Sequence, residues 1–333
     1  MHMNRTNIRI SILLVMVGCL AFANSVTVGQ EQQQQGKDTT NPVFRVPNNQ
    51  QVPPQDGAQD VPKVAALPDT DALPEKKGQV VDPSTVGVAP VATPHPLDRA
   101  IQMAHSGLDS IQKEIYDYSA IMVKRERVDN TLGDPQYARV KIRNARRVNN
   151  QEIPLSIYMK FLKPKDVAGR EVIWVKGQND GKLIAHEAGI LGVKRFHLDP
   201  DGWVAMKGQR YPIYEAGIEN LVVKLIEKAE RDRGLGMCEV NYVDGAKING
   251  RDCTLIEVIH PLRKGELEFH KAKVYIDKEY NIPIRYAAYD WPTTEGAKPQ
   301  LIEEYTYIKV QLNVGLQNED FSPDNPAYQY PSH

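Results

Sequence analysis

The sequence of 333 residues has no excess of charge of either sign. Its 41 Lys and Arg residues are balanced by 42 Asp and Glu residues, which gives a formal net charge of -1. Proteins that bind nucleic acid through its phosphates carry a clear positive patch or an overall positive charge. We therefore expect no nucleic-acid partner.

Common catalytic motifs are also missing. There is no G-x-S-x-G nucleophile elbow and no glycine-rich phosphate loop, and His186-Glu187 lacks the second histidine of an H-E-x-x-H zinc motif. Glu303 and Glu304 are adjacent, so they point to opposite faces of a strand and do not form a carboxylate pair. We expect no enzyme, no metal and no cofactor. The alternative is an enzyme acting on envelope polymers, whose carboxylates would come from separate strands.

Cysteine is scarce, with three residues in the chain. Cys238 and Cys253 lie in strand-like segments on either side of a turn between Asp244 and Gly250. If they face each other across a hairpin in an oxidising compartment, they form a disulfide that stabilises the fold by about 3 kcal/mol. Two buried free thiols are the equal alternative, because the strand register does not follow from the sequence.

The first residues have the pattern of an export signal. Arg5 and Arg9 precede an apolar run at residues 10–23. This run is short for a membrane span and ends in an A-x-A cleavage motif. We predict a signal peptide over residues 1–23 and a mature protein in the periplasm or cell envelope. A retained membrane anchor is one alternative. The other is lipid attachment at Cys19, because the residues before it loosely resemble a lipobox.

Residues 24–95 have the composition of a linker. A glutamine-rich block at residues 30–35 is followed by many Pro, Asp and Gly residues, and few residues could form an apolar face. Such a segment buries too little apolar surface to offset the entropy of ordering. We predict a disordered Gln/Pro-rich tether.

Two amphipathic helices are predicted in the remaining chain. Their apolar residues recur every three or four positions. The first stripe consists of Leu97, Ile101, Ala104, Leu108, Ile111 and Ile115, and the second of Ile218, Leu221, Val222, Leu225, Ile226 and Ala229.

The other segments alternate with a period of two and predict antiparallel strands. In the hairpin Leu155–Val175, Met159 and Phe161 share one face of the first strand, and Val172 and Trp174 share one face of the second. Residues 203–206 are predicted to continue the sheet. We predict about ten strands and two helices in one domain over residues 96–325, a size suited to a single β domain, followed by a tail at residues 326–333.

A basic stripe follows one predicted strand. Arg139, Lys141 and Arg143 alternate there with apolar residues. One interpretation is the solvated face of a sheet. The other is a patch that binds an anionic envelope component or a lipid headgroup.

Helices that lie across a curved sheet enclose an apolar space. If side chains fill this space it is a core, and if they do not it is a pocket for an acyl chain or another apolar ligand. The candidate lining residues are Met159, Phe161, Val172, Trp174, Leu221, Val222 and Leu225.

Two motifs resemble known families. The strand–turn–strand YMKF followed by KPKDVAG, at residues 158–169, resembles the corresponding segment of the LolA/LolB-like periplasmic lipoprotein carriers. The late segments VYIDKEYNIPIRYAAYD and NVGLQNEDFSP are also similar. The region from about residue 96 to residue 325 resembles a bacterial family known as domain of unknown function 1571.

This resemblance implies a mainly β, LolA-like fold, in which two or more helices cover the concave face of a strongly curved antiparallel sheet. In the carriers the enclosed cavity takes lipoprotein acyl chains, and a related branch senses envelope stress. The carriers lack the long tether and are shorter. The expected function is therefore an exported protein that binds a lipid or lipidated protein, with a carrier role. The alternative is a structural or sensory module that binds another envelope protein.

Overall fold

The computed structural model describes residues 94–189 and 194–332. The predicted signal peptide, which includes Cys19, and almost all of the predicted linker lie outside the described residues. Within the described residues no helix is both long enough and apolar enough to cross a membrane.

Fourteen strands form in the described part of the chain. They are β1 (Asp117–Val128), β2 (Thr131–Leu132), β3 (Gln136–Arg143), β4 (Arg146–Val148), β5 (Gln151–Ile153), β6 (Ser156–Lys163), β7 (Glu171–Val175), β8 (Leu183–His186), β9 (Phe196–Leu198), β10 (Glu239–Ile248), β11 (Arg251–Ile259), β12 (Lys271–Asp277), β13 (Pro283–Tyr289) and β14 (Leu301–Leu312).

Twelve of these described strands belong to one antiparallel sheet. Its order is β10-β11-β12-β13-β14-β1-β3-β6-β7-β8-β9, with β2 paired to β1, and β4 and β5 form a separate hairpin. β14 pairs with β1, so the last and first strands of the chain are neighbours in the middle of the sheet. The order ends at β10 and at β9, which do not pair with each other in the described residues. The sheet is therefore open and not a closed barrel.

The sheet is strongly curved. A flat sheet of this width would span about 50 Å, at about 4.8 Å between neighbouring strands. Yet Leu198 at the β9 edge and Tyr286 of β13, seven strands along the order, line one cavity. The mainly β fold class, with helices on the concave face, is confirmed.

Both predicted helices are present. The first, α1, spans Asp98–Glu114. The second predicted helix spans Ile218–Leu235 and is called α3, because the short helix α2 (Trp203–Met206) precedes it in the chain. They run antiparallel, since His105 of α1 contacts Glu230 of α3 at 2.9 Å and Gln112 contacts Glu219 at 3.0 Å. Their apolar stripes face the concave side of the sheet, where Ile111, Val222 and Ile226 join one large buried cluster with residues of β1, β3 and β6.

The segment Trp203–Met206 corrects one prediction. It forms a short helix, α2, and not a strand. Pro200 and Gly202 precede it and Gly208 and Pro212 follow it, so the segment lacks the uninterrupted run that a strand needs. The chain between β9 and α3 therefore leaves the sheet and crosses its concave face.

The hairpin of β6 and β7 forms as predicted. Ser156 pairs with Val175 and Lys160 with Glu171. Gly169 in the connection has φ +86°, and a Cβ atom there would lie 2.6 Å from the Cβ of Ala188. Only glycine fits this conformation and this close approach.

The two cysteines of the folded region do not meet, and the disulfide prediction is wrong. Both are buried free thiols. Cys253 pairs with Ala246 near the turn of the β10–β11 hairpin, whereas Cys238 immediately precedes Glu239 at the other end, where Ile259 is the partner. Because each residue advances a strand by about 3.4 Å, the register holds the two sulfur atoms far apart.

The chain after β14, residues 313–332, packs on the convex face of the sheet, and we call it the C-terminal segment. Tyr328 and Tyr330, which fall in the predicted tail, are each 9% exposed and join a second cluster with Tyr158, Ile173 and Phe321. The rings of Tyr158 and Tyr328 stack at 4.0 Å with an angle of 7° between planes. This segment covers the outer side of β6 and β7.

Candidate functional site

A cavity of about 400 Å³ lies between the concave face of the sheet, the segment that links β9 to α3, and α3 itself. We call it the main cavity. This volume lies within the range of about 300–1,000 Å³ that is typical of small-molecule sites. The cavity has an apolar end and a polar end.

The apolar end is lined by the strands from β6 to β9 and by the segment that links β9 to α3, residues 199–217, which we call the covering segment. β-Strand alternation directs Met159, Phe161 and Val172 to the concave face, while Tyr158 and Ile173 face the C-terminal segment. The other apolar lining residues near this end are Leu183, Ala185, Leu198, Ala205 and Ile213, whereas Leu221 and Leu225 of α3 pack near Tyr286 and Tyr305. A surface of this kind favours hydrocarbon over water.

Helix α2 lies at the edge of the main cavity. Val204 lines the cavity and is 49% exposed, so it marks the opening to solvent. Its neighbour Trp203 is 81% exposed. An apolar molecule entering beside α2 would meet these two side chains first.

Glu126 of β1 is the first of two buried carboxylates at the polar end. The Tyr305 hydroxyl donates to its Oε1 at 2.6 Å, and the Lys124 Nζ lies 3.1 Å from its Oε2. The backbone N–H of Arg210 donates to the same Oε2 at 3.2 Å. Lys124 also hydrogen-bonds Gln209, which ties the covering segment to β1.

Glu303 of β14 is the second carboxylate and the cross-strand partner of Glu126. Directly opposed like charges destabilise a sheet unless each is compensated. Here the Arg210 Nε donates to Glu303 at 2.9 Å, and the Lys228 Nζ lies 3.8 Å from its other oxygen. Since both carboxylates are engaged by cations and hydroxyls, this arrangement has the character of a structural ion-pair network.

Three tyrosines complete the polar end, Tyr211, Tyr286 and Tyr305. Burial, and after it the negative charge of Glu303, raises the pKa of each hydroxyl. All three are therefore protonated at neutral pH. Tyr305 donates to Glu126, so Tyr211 and Tyr286 are the two that can donate hydrogen bonds to a ligand oxygen. Protonated phenols are poor nucleophiles.

Five of the seven predicted lining residues surround the main cavity: Met159, Phe161, Val172, Leu221 and Leu225. The other two do not. Val222 lines a second, smaller cavity on the other side of α3. The Trp174 indole donates to the carbonyl of Gly181 at 3.0 Å, and its ring lies 5.7 Å from that of Tyr214.

The sequence did not indicate the polar end or the covering segment. Two partners of Glu126, Arg210 and Tyr305, are far away in the chain. The only local signal was the cluster of proline and glycine around α2, which favours a loop over a strand.

The basic stripe is not an open patch. The Lys141 Nζ lies 2.8 Å from Asp320 and 3.2 Å from the Tyr328 hydroxyl. Arg143 is 7% exposed and donates to Asn318 at 2.9 Å. Because the C-terminal segment occupies Lys141 and Arg143, the predicted anionic site is not available at these two residues. Arg139 remains on the exposed surface.

No group of three or more His, Cys, Asp or Glu side chains within the described ranges 94–189 and 194–332 could hold a metal ion. Two buried histidines do have carboxylate partners. His186 lies 3.8 Å from Glu171, and His260 lies 3.3 Å from Asp232.

A family profile described as "Protein of unknown function (DUF1571)" matches residues 115–330. No curated protein matches the chain significantly.

Three solved structures are among those similar to this chain. A putative outer membrane lipoprotein-sorting protein domain from Vibrio parahaemolyticus is 15% identical, with 67% of this chain and 95% of that chain covered and a TM-score of 0.32. The lipoprotein LppX from Mycobacterium tuberculosis is 14% identical, with 66% and 98% covered and a TM-score of 0.36. A LolA superfamily protein from Nitrosomonas europaea is 9% identical, with 67% and 97% covered and a TM-score of 0.27.

Proposed function

The chain belongs to the DUF1571 family of proteins of unknown function, and we propose that it is an exported, non-enzymatic protein that binds an amphipathic lipid or lipidated protein in the main cavity. The observation that carries this proposal is the chemistry of the cavity wall. Mostly apolar side chains of β6 to β9 line one end, with the Arg170–Glu187 ion pair beside Phe161, and protonated tyrosines and paired charges line the other.

Each end of the main cavity suits one part of such a ligand. The apolar end would bury hydrocarbon, at about 0.8 kcal/mol per methylene group. The hydroxyls of Tyr211 and Tyr286 are donors for ester, carboxyl or phosphate oxygens of a head group. Entry beside Val204 would allow the hydrocarbon chain of the ligand to enter the cavity without unfolding of the sheet.

Export is supported by the arginines and the apolar run at residues 5–23. In this proposal the tether over residues 24–95 gives the domain reach from its point of attachment or release. If the protein transfers its ligand to an acceptor, its role is that of a carrier. A sensory or structural module that binds through the basic stripe is less well supported, since Lys141 and Arg143 contact the C-terminal segment.

The first test is direct. The protein purified from its native envelope should contain lipid detectable by mass spectrometry, and the delipidated protein should take up a fluorescent fatty acid. If neither lipid content nor uptake is found, the proposal is wrong.

The second test places the ligand in the main cavity. Ala205→Phe and Ala185→Phe add bulk to the cavity wall, and we expect each to weaken fatty-acid binding at least about tenfold, or about 1.4 kcal/mol. Ala327→Phe is the matched control, because Ala327 is exposed in the C-terminal segment and should leave binding unchanged. Equal binding by all three variants would place the ligand elsewhere.

A further inference from the structure

A second cavity of about 110 Å³ lies on the other side of α3, between α1, α3 and the strands β11 to β13. Its wall is mostly apolar and includes Ala104 of α1, Val222 of α3, Ile256 of β11 and Ala272 of β12. A wall of this kind favours small hydrocarbon groups over water. Nothing in the proposed function uses it so far.

The two cavities share part of their wall. Leu225, Lys228 and Tyr286 line both of them. Leu225 and Lys228 are three residues apart on α3, so they lie on the same side of the helix, and Tyr286 comes from β13 beneath it. Leu225 packs against the buried cluster that contains Tyr286. The cavities therefore adjoin under α3 at these three side chains, which we call the junction.

This junction is polar on the side of the main cavity. The Lys228 Nζ is 2.9 Å from Glu268 and 3.8 Å from Glu303, so it lies between two carboxylates. The Tyr286 hydroxyl is buried close to the Glu303 carboxylate, but it makes no well-formed hydrogen bond with the described residues. A buried hydroxyl without a partner is unusual in a folded protein, and here it lies where the two cavities approach each other.

We infer that the second cavity is a subsite for the second hydrocarbon chain of a two-chain lipid. The longer chain occupies the main cavity, the polar linkage that joins the chains lies at the junction, and the Tyr286 hydroxyl donates a hydrogen bond to a carbonyl oxygen of that linkage. Because the second cavity is much the smaller, it takes a short chain or the first part of a longer one. This inference rests on the proposed function and names its ligand class.

Displacement of a fluorescent fatty acid from the full chain tests the inference. The competitors are 1-palmitoyl-lysophosphatidylcholine and 1-palmitoyl-2-hexanoyl-phosphatidylcholine, which share a head group and a long chain and differ in the second chain. We expect the wild type to bind the two-chain lipid at least about tenfold more tightly.

Ala104→Phe, which fills only the second cavity, should remove this preference and leave the one-chain lipid unaffected. Ala229→Leu is a second filling variant from the α3 side and serves if Ala104→Phe does not fold. Tyr286→Phe keeps the ring and removes the donor, so it should weaken binding of the two-chain ester lipid more than binding of its diether analogue.

The outcomes separate the two proposals. If the wild type binds both lipids with equal affinity, or if the filling variants keep the preference, the second-chain subsite is wrong and the proposed function still stands. If the wild type binds neither lipid nor the fluorescent fatty acid, the proposed function itself is wrong.

Discussion

The hydroxyl of Tyr118 accepts a hydrogen bond from the backbone N–H of Ile218 at 2.8 Å. Tyr118 lies on β1 and is fully buried, and Ile218 is the first residue of α3. The first N–H groups of a helix have no partner within the helix. This contact therefore supplies one of them and holds the start of α3 on the sheet beside the main cavity.

Tyr118→Phe should lower the free energy of unfolding by about 1–3 kcal/mol, because it leaves the buried N–H of Ile218 without an acceptor. Urea denaturation measures the change. Tyr116→Phe is the matched control, since Tyr116 is 45% exposed, and it should change stability by less than about 0.5 kcal/mol. Equal effects of the two substitutions would show that the contact does not anchor α3.

Tyr328→Ala tests whether the C-terminal segment is part of the domain. It removes the ring that stacks on Tyr158 and the hydroxyl that contacts Lys141, and we expect a loss of about 2–4 kcal/mol in unfolding free energy. Gln329→Ala changes an exposed neighbour and should have little effect. A Tyr328→Ala variant as stable as the wild type would mean that residues 326–333 are a tail after all.

The two buried thiols should be unreactive in the folded protein. Burial, with a contribution from Asp232, raises the pKa of Cys238 to about 11, and burial also raises the pKa of Cys253. At pH 8 about one Cys238 in a thousand would be the reactive thiolate. Iodoacetamide should label neither cysteine before unfolding and both after unfolding without reductant, as measured by peptide mass mapping. Labelling that requires a reductant would instead indicate a disulfide.

Asp277 should contribute stability that depends on pH. Burial alone would raise the pKa of this carboxyl, but hydrogen bonds from Arg251 and from the backbone N–H groups of Tyr280 and Glu279 outweigh it and lower the pKa. The folded state then binds the proton less readily than the unfolded state. Its contribution is complete above the unfolded pKa of about 3.9 and is lost as the pH falls below it.

Asp277→Asn removes that titration. The wild type should exceed the variant by about 1–3 kcal/mol at pH 6, and the difference should shrink by pH 3, as measured by denaturant unfolding at both values. Gln329→Ala, at an exposed residue without an ionisable side chain, should give a difference that does not depend on pH. A constant difference for Asp277→Asn would argue against the ion pair with Arg251.

Much of the secondary structure followed from the sequence. The alternation of Met159 and Phe161 with their neighbours predicted β6 and its buried face, and the stripe from Ile218 to Ala229 predicted α3. These signals are local, because side-chain direction repeats every two residues in a strand and about every 3.6 in a helix. The same signals identified five of the residues that line the main cavity.

What the tertiary structure alone decided depends on contacts between distant parts of the chain. The register of β10 and β11 separates Cys238 from Cys253, and no local pattern specifies a register between strands. Lys141 was predicted on a strand face, but its partner Asp320 comes from the end of the domain. The sequence by itself determined which faces are apolar. Only the curvature of the sheet and the path of the chain over it decided that those faces enclose a cavity with one polar end, because that requires strands distant in sequence to converge.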